Sequence, residues 1–380
     1  MSVWPKVKLR EVLSLDLHKE SIDASKRYEM VGVLSFGKGL FSREPVEGGN
    51  TSYKHFLKLK KNHIVMSQLF GWEGALALSN KDFDGKYVSP QFPTFLCDHD
   101  KIDRRFLGWV MQQPSFWNDL GSRAKGMGDR RRTLNPDSLF ESETPLPTLD
   151  EQLELVTRLD GLAKMTWQVE THLDAVERDA EHLLALRFHD AIAEAPMHPM
   201  AEVAPLVRRK IVIDHKKNYT ELGVRSFYKG VFHRRTVPGS DFSWQDLYQV
   251  QAEDLIFSNI MAWEQAIAIA QPEDNNCVGN HRMLTCEANT KLALPSFLWY
   301  YFTTEDGFSK IYAASPGTAA RNRTMTAPAL MAIQVPTPSL SVQQTFVRLQ
   351  AEVSALKAKH AAIRKANAAL LPATLERIFN

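Results

Sequence analysis

Along two stretches of the chain, apolar residues recur at alternating steps of four and three. The first series runs Leu162, Thr166, Val169, Leu173, Val176, Ala180, Leu183. It lies inside a segment from about Leu149 to Ile192 that has no proline and a single glycine, Gly161. The second series is Val342, Phe346, Leu349, Val353, Leu356, His360, Ile363, Asn367, Leu370. A repeat of 3.5 residues places each series on one helical face, and so narrow a seam is buried only against a second helix. The pattern predicts two long helices that pair, the first up to roughly 65 Å long at about 1.5 Å per residue. Thr166, His360 and Asn367 are polar positions in the seam, expected to fix register at some cost in stability.

Elsewhere the period shortens to two. YEMVGVLSF, FLKLKKNHIVMSQL and GALALS read as half-buried strands punctuated by Gly and Pro, and helices are expected at Asp103–Gln113 and Pro295–Thr303. SRAKGMGDRRRTLN and ASPGTAARNRTMT, rich in Gly, Arg and Thr, read as loops.

These elements occur twice. YEMVGVLSFGKGLF at Tyr28 returns as YTELGVRSFYKGVF at Tyr219, an offset of 191 that also links Trp72-Glu73 to Trp263-Glu264 and Phe106 to Phe297. The same offset links Trp109 to Tyr300, Arg130, Arg132 and Thr133 to Arg321, Arg323 and Thr324, and Gln152 to Gln343. Toward the helix ends it falls to 187, pairing Leu183-Leu184 with Leu370-Leu371, so one helix is about a turn shorter. A register held this far marks a duplication. The expected architecture is α+β: a domain over 1–147, a long helix within 148–195, a second domain over 196–337 and a second long helix within 338–380. Two copies of a domain-plus-helix unit imply pseudo-two-fold symmetry, with the helices antiparallel in a coiled coil and the domains at opposite ends.

Charge sharpens the pairing. The net charge is only +2, but residues 148–195 carry 4 basic and 11 acidic groups against 6 and 2 over 338–380. The two helical segments are thus opposite in sign, as paired helices often are. No run of eighteen apolar residues occurs and the N-terminus has no apolar signal core, so a cytoplasmic protein without a membrane span is expected. Cys97, Cys277 and Cys286 are scattered, with no metal-ligand spacing.

The motifs of catalysis are absent from the sequence. It has no GxxxxGK[ST] or strand-linked GxGxxG, no HExxH and no GxSxG. Asn135-Pro136-Asp137 has neither the second proline nor the aromatic of an amino-methyltransferase active site. What remains is a set of cations on matched segments. Arg123, Lys125, Arg130, Arg131 and Arg132 gather on the first domain's Gly-rich loop, with Arg321 and Arg323 on its twin. Lys38 and Arg43 on the first strand-turn segment match Lys229, Arg234 and Arg235 on the second. Arginine on a loop suits phosphates and the O6/N7 edge of guanine, so these twelve residues are the candidate DNA-binding set. Trp72 and Trp263 are expected to pack rather than to stack on bases.

These features together resemble the specificity (S) subunits of Type I restriction–modification systems, HsdS-like proteins. Pro145–Pro147 with Leu149 and Gln152, and Pro336–Pro338 with Leu340 and Gln343, match the family's Pro-x-Pro, Leu-x-x-Gln entry into a long helix. Leu370-Leu371-Pro372 with Leu375, Ile378 and Phe379 matches its helix end, and DLIFSNIMAWEQAIAI resembles a strand and loop of its recognition domain. The resemblance spans nearly the whole chain. It implies a non-catalytic subunit whose two target-recognition domains each read half of a split, asymmetric target in double-stranded DNA. The implied partners are two methylation subunits that modify adenine, with restriction subunits able to join. No cofactor is expected on this chain: S-adenosylmethionine, ATP and Mg belong to the partners. The alternatives are a duplicated-domain DNA-binding regulator without catalysis, or an S-like subunit of another antiviral assembly.

Overall fold

The computed structural model describes residues 4–124, 132–242, 246–317 and 322–379. The chain forms two compact units, Met1–Leu173 with His360–Asn380, and Asp174–Lys359. The boundary thus falls within both long helices, and each unit carries part of each.

The first unit is built on four antiparallel strands in the order Leu76–Leu78, Ile64–Met66, Thr94–Cys97, Leu13–Leu15. Its central register sets Phe95 opposite Ile64 on one side and Leu15 on the other. Ile64, Met66, Leu76 and Phe95 bury one face against the helix Arg104–Val110, whose Phe106 is also fully buried. The Asp103 carboxylate caps that helix, accepting from the N–H groups of Arg105 and Phe106 at 2.8 and 3.1 Å. The second unit repeats the order with Ile267–Ile269, Leu255–Ser258, Met283–Cys286 and Leu206–Val207. There Phe297 takes the place of Phe106 on the helix Pro295–Thr303.

One expected strand is two. FLKLKKNHIVMSQL divides into His55–Lys58 and Ile64–Met66, because the polar run Lys60-Lys61-Asn62 turns, with Asn62 left-handed at φ 72°. Asparagine tolerates that region better than most residues. A shorter three-stranded sheet, Tyr87–Val88, His55–Lys58, Lys19–Ser21, and the hairpin Val31–Val33/Leu40–Ser42 complete this side of the first unit. In the second unit the equivalent hairpin is longer, Asn218–Val224 with Val231–Pro238.

The long helices span Leu149–Ile192, 44 residues, and Leu340–Phe379, 40 residues. Each enters through a matched glutamine. Gln152 is fully buried; its amide donates to the carbonyls of Lys101 and Pro147 at 3.1 and 2.9 Å and accepts from the Asp103 N–H at 2.7 Å. Gln343, equally buried, donates to the carbonyls of Leu292 and Pro338 at 2.8 Å each and accepts from the Leu294 N–H at 2.9 Å. One side chain thereby satisfies three backbone groups that would each cost about 1–3 kcal/mol if buried alone. This is the physical reason for a glutamine at both helix entries.

Within each unit the two helices pack antiparallel. In the first, Asn367 donates to the Thr166 carbonyl (2.9 Å) and to Glu170 (2.8 Å), while Arg364 reaches Glu170 at 2.6 Å. These bonds hold the Glu170 carboxyl below its ordinary range. In the second, Phe188 and Phe346 are 5.0 Å apart between ring centroids and Lys357 meets Glu181 at 2.5 Å.

The seam departs from its sequence spacing at several positions. Leu173, Phe346 and Val353 are buried, and Leu162, Val176, Leu349 and Leu356 half-buried. Val169, Leu183, Val342, Ile363 and Leu370 are exposed. Near the ends Leu184 and Phe188, and Leu375 and Phe379, are buried in their place. Among the described residues no helix is long and apolar enough to cross a membrane.

Candidate nucleic-acid interface

In each unit three segments meet at matched positions. The first is a hairpin tip whose non-glycine residues are left-handed: Phe36 at φ 63°, Phe227 at 60° and Tyr228 at 54°. Such a conformation is costly for aromatic residues and needs support. Backbone hydrogen bonds supply it. The N–H groups of Phe36 and Gly37 donate to the carbonyls of Glu73 and Gly74, and those of Phe227 and Tyr228 to Glu264 and Gln265, all at 2.8–3.0 Å. Ser226 adds a bond to the Glu264 carboxylate at 2.7 Å, and Ser35 a longer one to Glu73 at 3.3 Å. Both phenyl rings stay exposed, with Lys38 and Lys229 Nζ 5.8 and 5.7 Å from their centroids.

The second segment is the Trp-Glu turn that receives the tip. Trp72 and Trp263 are half-buried, and each donates its indole N–H to a carbonyl three residues back, at 2.9 Å. Gly74 is required in the first copy, since a Cβ there would lie 2.4 Å from the Trp117 ring; the second copy has Gln265. The third segment is the end of each Arg-rich loop, where Leu134 donates its N–H to the Gln68 carbonyl and Met325 to that of Asn259, both at 2.8 Å.

The eight described candidate cations fall into three groups. Lys38, Arg43, Lys229 and Arg234 are exposed on the hairpins. Arg123 is compensated by Asp119 at 3.0 Å, and Arg235 by Glu221 at 2.6 Å, so each already has a carboxylate partner. Arg132 lies 5.5 Å over the Trp72 ring; Arg323 lies 3.9 Å over Tyr312 and donates to the Ser315 carbonyl at 3.0 Å. Lys125, Arg130, Arg131 and Arg321 lie outside the described residues.

Sequence reasoning passed over four polar residues beside these segments. The N–H of Gln68 donates to the Gln91 carbonyl and that of Asn259 to the Arg282 carbonyl, both at 2.9 Å. Gln68 and Gln91 line a cavity of about 280 Å³ with Thr133 and Asn135. Arg282 lines one of about 290 Å³ with Arg234, Asn280 and Ser258. The signal was available: 191 separates both pairs.

Burial pushes the Cys97 and Cys286 thiols up to about 12, and raises Cys277 as well, which leaves them protonated. Asp16, His18 and His63 converge, with both imidazole Nε2 atoms 3.1 Å from the Asp16 carboxylate. The other ring nitrogen of His63 is buried without a hydrogen-bond partner. A metal-bound imidazole normally donates from that atom, so the group reads better as a polar tie between strands.

No protein-family model matches the chain, and no curated protein matches it. Solved structures do. The HsdS subunit from Thermoanaerobacter tengcongensis superposes with a TM-score of 0.63 at 17% identity, over 99% of this chain and 96% of that one. A chain from a structure describing complex assembly and conformational transition of the type I R-M system gives 0.69 at 16% identity, over 99% and 97%. The fold is that of an HsdS subunit. At this identity the HsdS likeness concerns architecture, and it extends over both repeats and both long helices. The matched tips, turns and loop ends are thus elements of an HsdS-type fold.

Proposed function

We propose that this chain is the DNA-specificity subunit of a Type I restriction–modification complex, without catalysis of its own. The observation that carries this reading is the duplication: the same three-segment surface, bearing exposed cations and an exposed aromatic, occurs once per unit on an HsdS fold. Each unit reads one half of a bipartite, asymmetric DNA target. The surrounding complex supplies the chemistry, with two methylation subunits binding S-adenosylmethionine and restriction subunits using ATP and Mg. The long helices offer the docking surface. Met165 and Trp167 are 64% and 67% exposed on the central helix, and a large aromatic left in water is a typical interface anchor.

DNA binding by the assembled complex tests this reading. Replacing Arg130, Arg131 and Arg132 by Ala is expected to weaken duplex binding and flatten its dependence on salt by about one unit of slope per lost phosphate contact. Wild-type affinity and slope in the triple variant would remove these residues from the interface.

A further inference from the structure

We infer that positions 68 and 91 of the first unit and 259 and 282 of the second read base edges, and that Gln91 and Arg282 give the two units different base preferences. The inference rests on the DNA-binding reading above and adds to it which residues read sequence and what they select.

Three observations lead here. The two pairs are equivalent in backbone: the same 2.9 Å N–H to carbonyl bond joins 68 to 91 and 259 to 282. In both units that pair adjoins the end of the Arg-rich loop, through the bond from Leu134 to Gln68 and from Met325 to Asn259. Only the side chains differ.

The second observation is that these side chains are uncommitted. Arg282 is exposed, and no described residue forms an ion pair, side-chain hydrogen bond or ring contact with its guanidinium; the same holds for Arg234 in the same cavity. Their neighbours differ. Arg209 is held by Asp254 at 2.6 Å, Arg235 by Glu221, and Arg208 by the Met283 and His281 carbonyls at 3.0 and 3.4 Å. Gln91 is exposed and its amide likewise has no described partner. The Oδ1 of Asn259 is buried and has no hydrogen-bond partner among the described residues.

The third observation is chemical. A guanidinium fork matches the O6 and N7 acceptors of guanine, whereas a glutamine or asparagine amide matches the N6 donor and N7 acceptor of adenine. Arg282 therefore selects guanine in the half-site of the second unit, and Gln91 adenine at the equivalent position of the other. Arg234 stands on the hairpin and lines the same cavity as Arg282, where phosphate contact holds the duplex in register.

The test is selection from a randomised duplex library by the complex of this chain with its methylation subunits. The wild type is expected to select two half-sites at fixed spacing. Arg282→Gln should change one base pair in one half-site, losing about tenfold or more of its guanine preference, and leave the other half-site alone. Arg282→Lys keeps the charge but not the fork and should lose the same preference, while Gln91→Arg should bring guanine into the other half-site. Both Arg282 variants selecting the wild-type motif, at equal or lower affinity, would overturn the inference and make Arg282 a phosphate contact or a bystander. A wild-type complex that selects no motif would instead overturn the DNA-specificity reading itself. The guanidinium of Arg282 has no bond to a described residue and its backbone bonds do not depend on the side chain, so its variants are expected to fold; unchanged thermal unfolding checks this.

Discussion

Where the second unit joins two strands with the pair Arg209–Asp254, the first uses Asp16, His18 and His63 at the equivalent positions. The exchange makes one unit sensitive to pH. Burial is the largest influence on His63 and holds it below the ordinary imidazole range, while the nearby Asp16 pulls the other way. A depressed histidine means the unfolded chain takes up its proton first as pH falls. The stabilisation is therefore complete above about pH 6.5 and declines below it. Hydrogen exchange should show Ile64–Met66 losing protection between about pH 7.5 and about pH 5.5, with Leu255–Ser258 losing much less. Copying the second unit into the first, with Asp16→Val, His18→Arg and His63→Asp, should remove the difference; an equal decline of both strands in the wild type would contradict this account. The equivalence of His63 and Asp254 was legible from the 191-residue offset. Their partners were not, since Asp16 and Arg209 lie some 45 residues away in sequence and reach them only through strand pairing.

At the scale of elements, both long helices were legible, because a 4-3 repeat held over several turns fits a paired helix and no strand or loop. The first was read to its bounds, whereas the second runs nine residues past its last seam position, Leu370, through Pro372 to Phe379. Which residues bury was harder to read. A straight helix drifts from a 3.5 repeat by about 20° per heptad, and the sheets and short helices of each unit compete for the helix ends. Thus Leu183 is 43% exposed while Leu184 and Phe188 join the core of the second unit, and Leu370 yields to Leu375 and Phe379 in the first. On the proposed function the helices also set the length of the unread DNA spacer. Inserting one heptad in each, after Ala175 and after Leu356, preserves the seam phase and adds about 10 Å. Target selection should then return the same half-sites with a spacer about three base pairs longer. Altered half-sites with an unchanged spacer would refute the helices as rulers.

At the scale of the whole molecule, the duplication decides most. It was plain in the sequence, and it recurs as two sheets of one strand order, two buried glutamines and two strained hairpin tips. The candidate surface was only half legible. Counting cations located the segments, but the free cations and the compensated ones differ only in tertiary contacts: Arg235 faces Glu221 while the adjacent Arg234 has no described carboxylate. The uncharged readers, Gln68, Gln91 and Asn259, gave no signal to a search for charge. The most direct measurement is long-read mapping of adenine methylation in cells with and without this gene. The account predicts that deletion erases methylation at one split, asymmetric motif of fixed spacing. An unchanged methylome in cells where a methylation subunit co-purifies with this chain would contradict it.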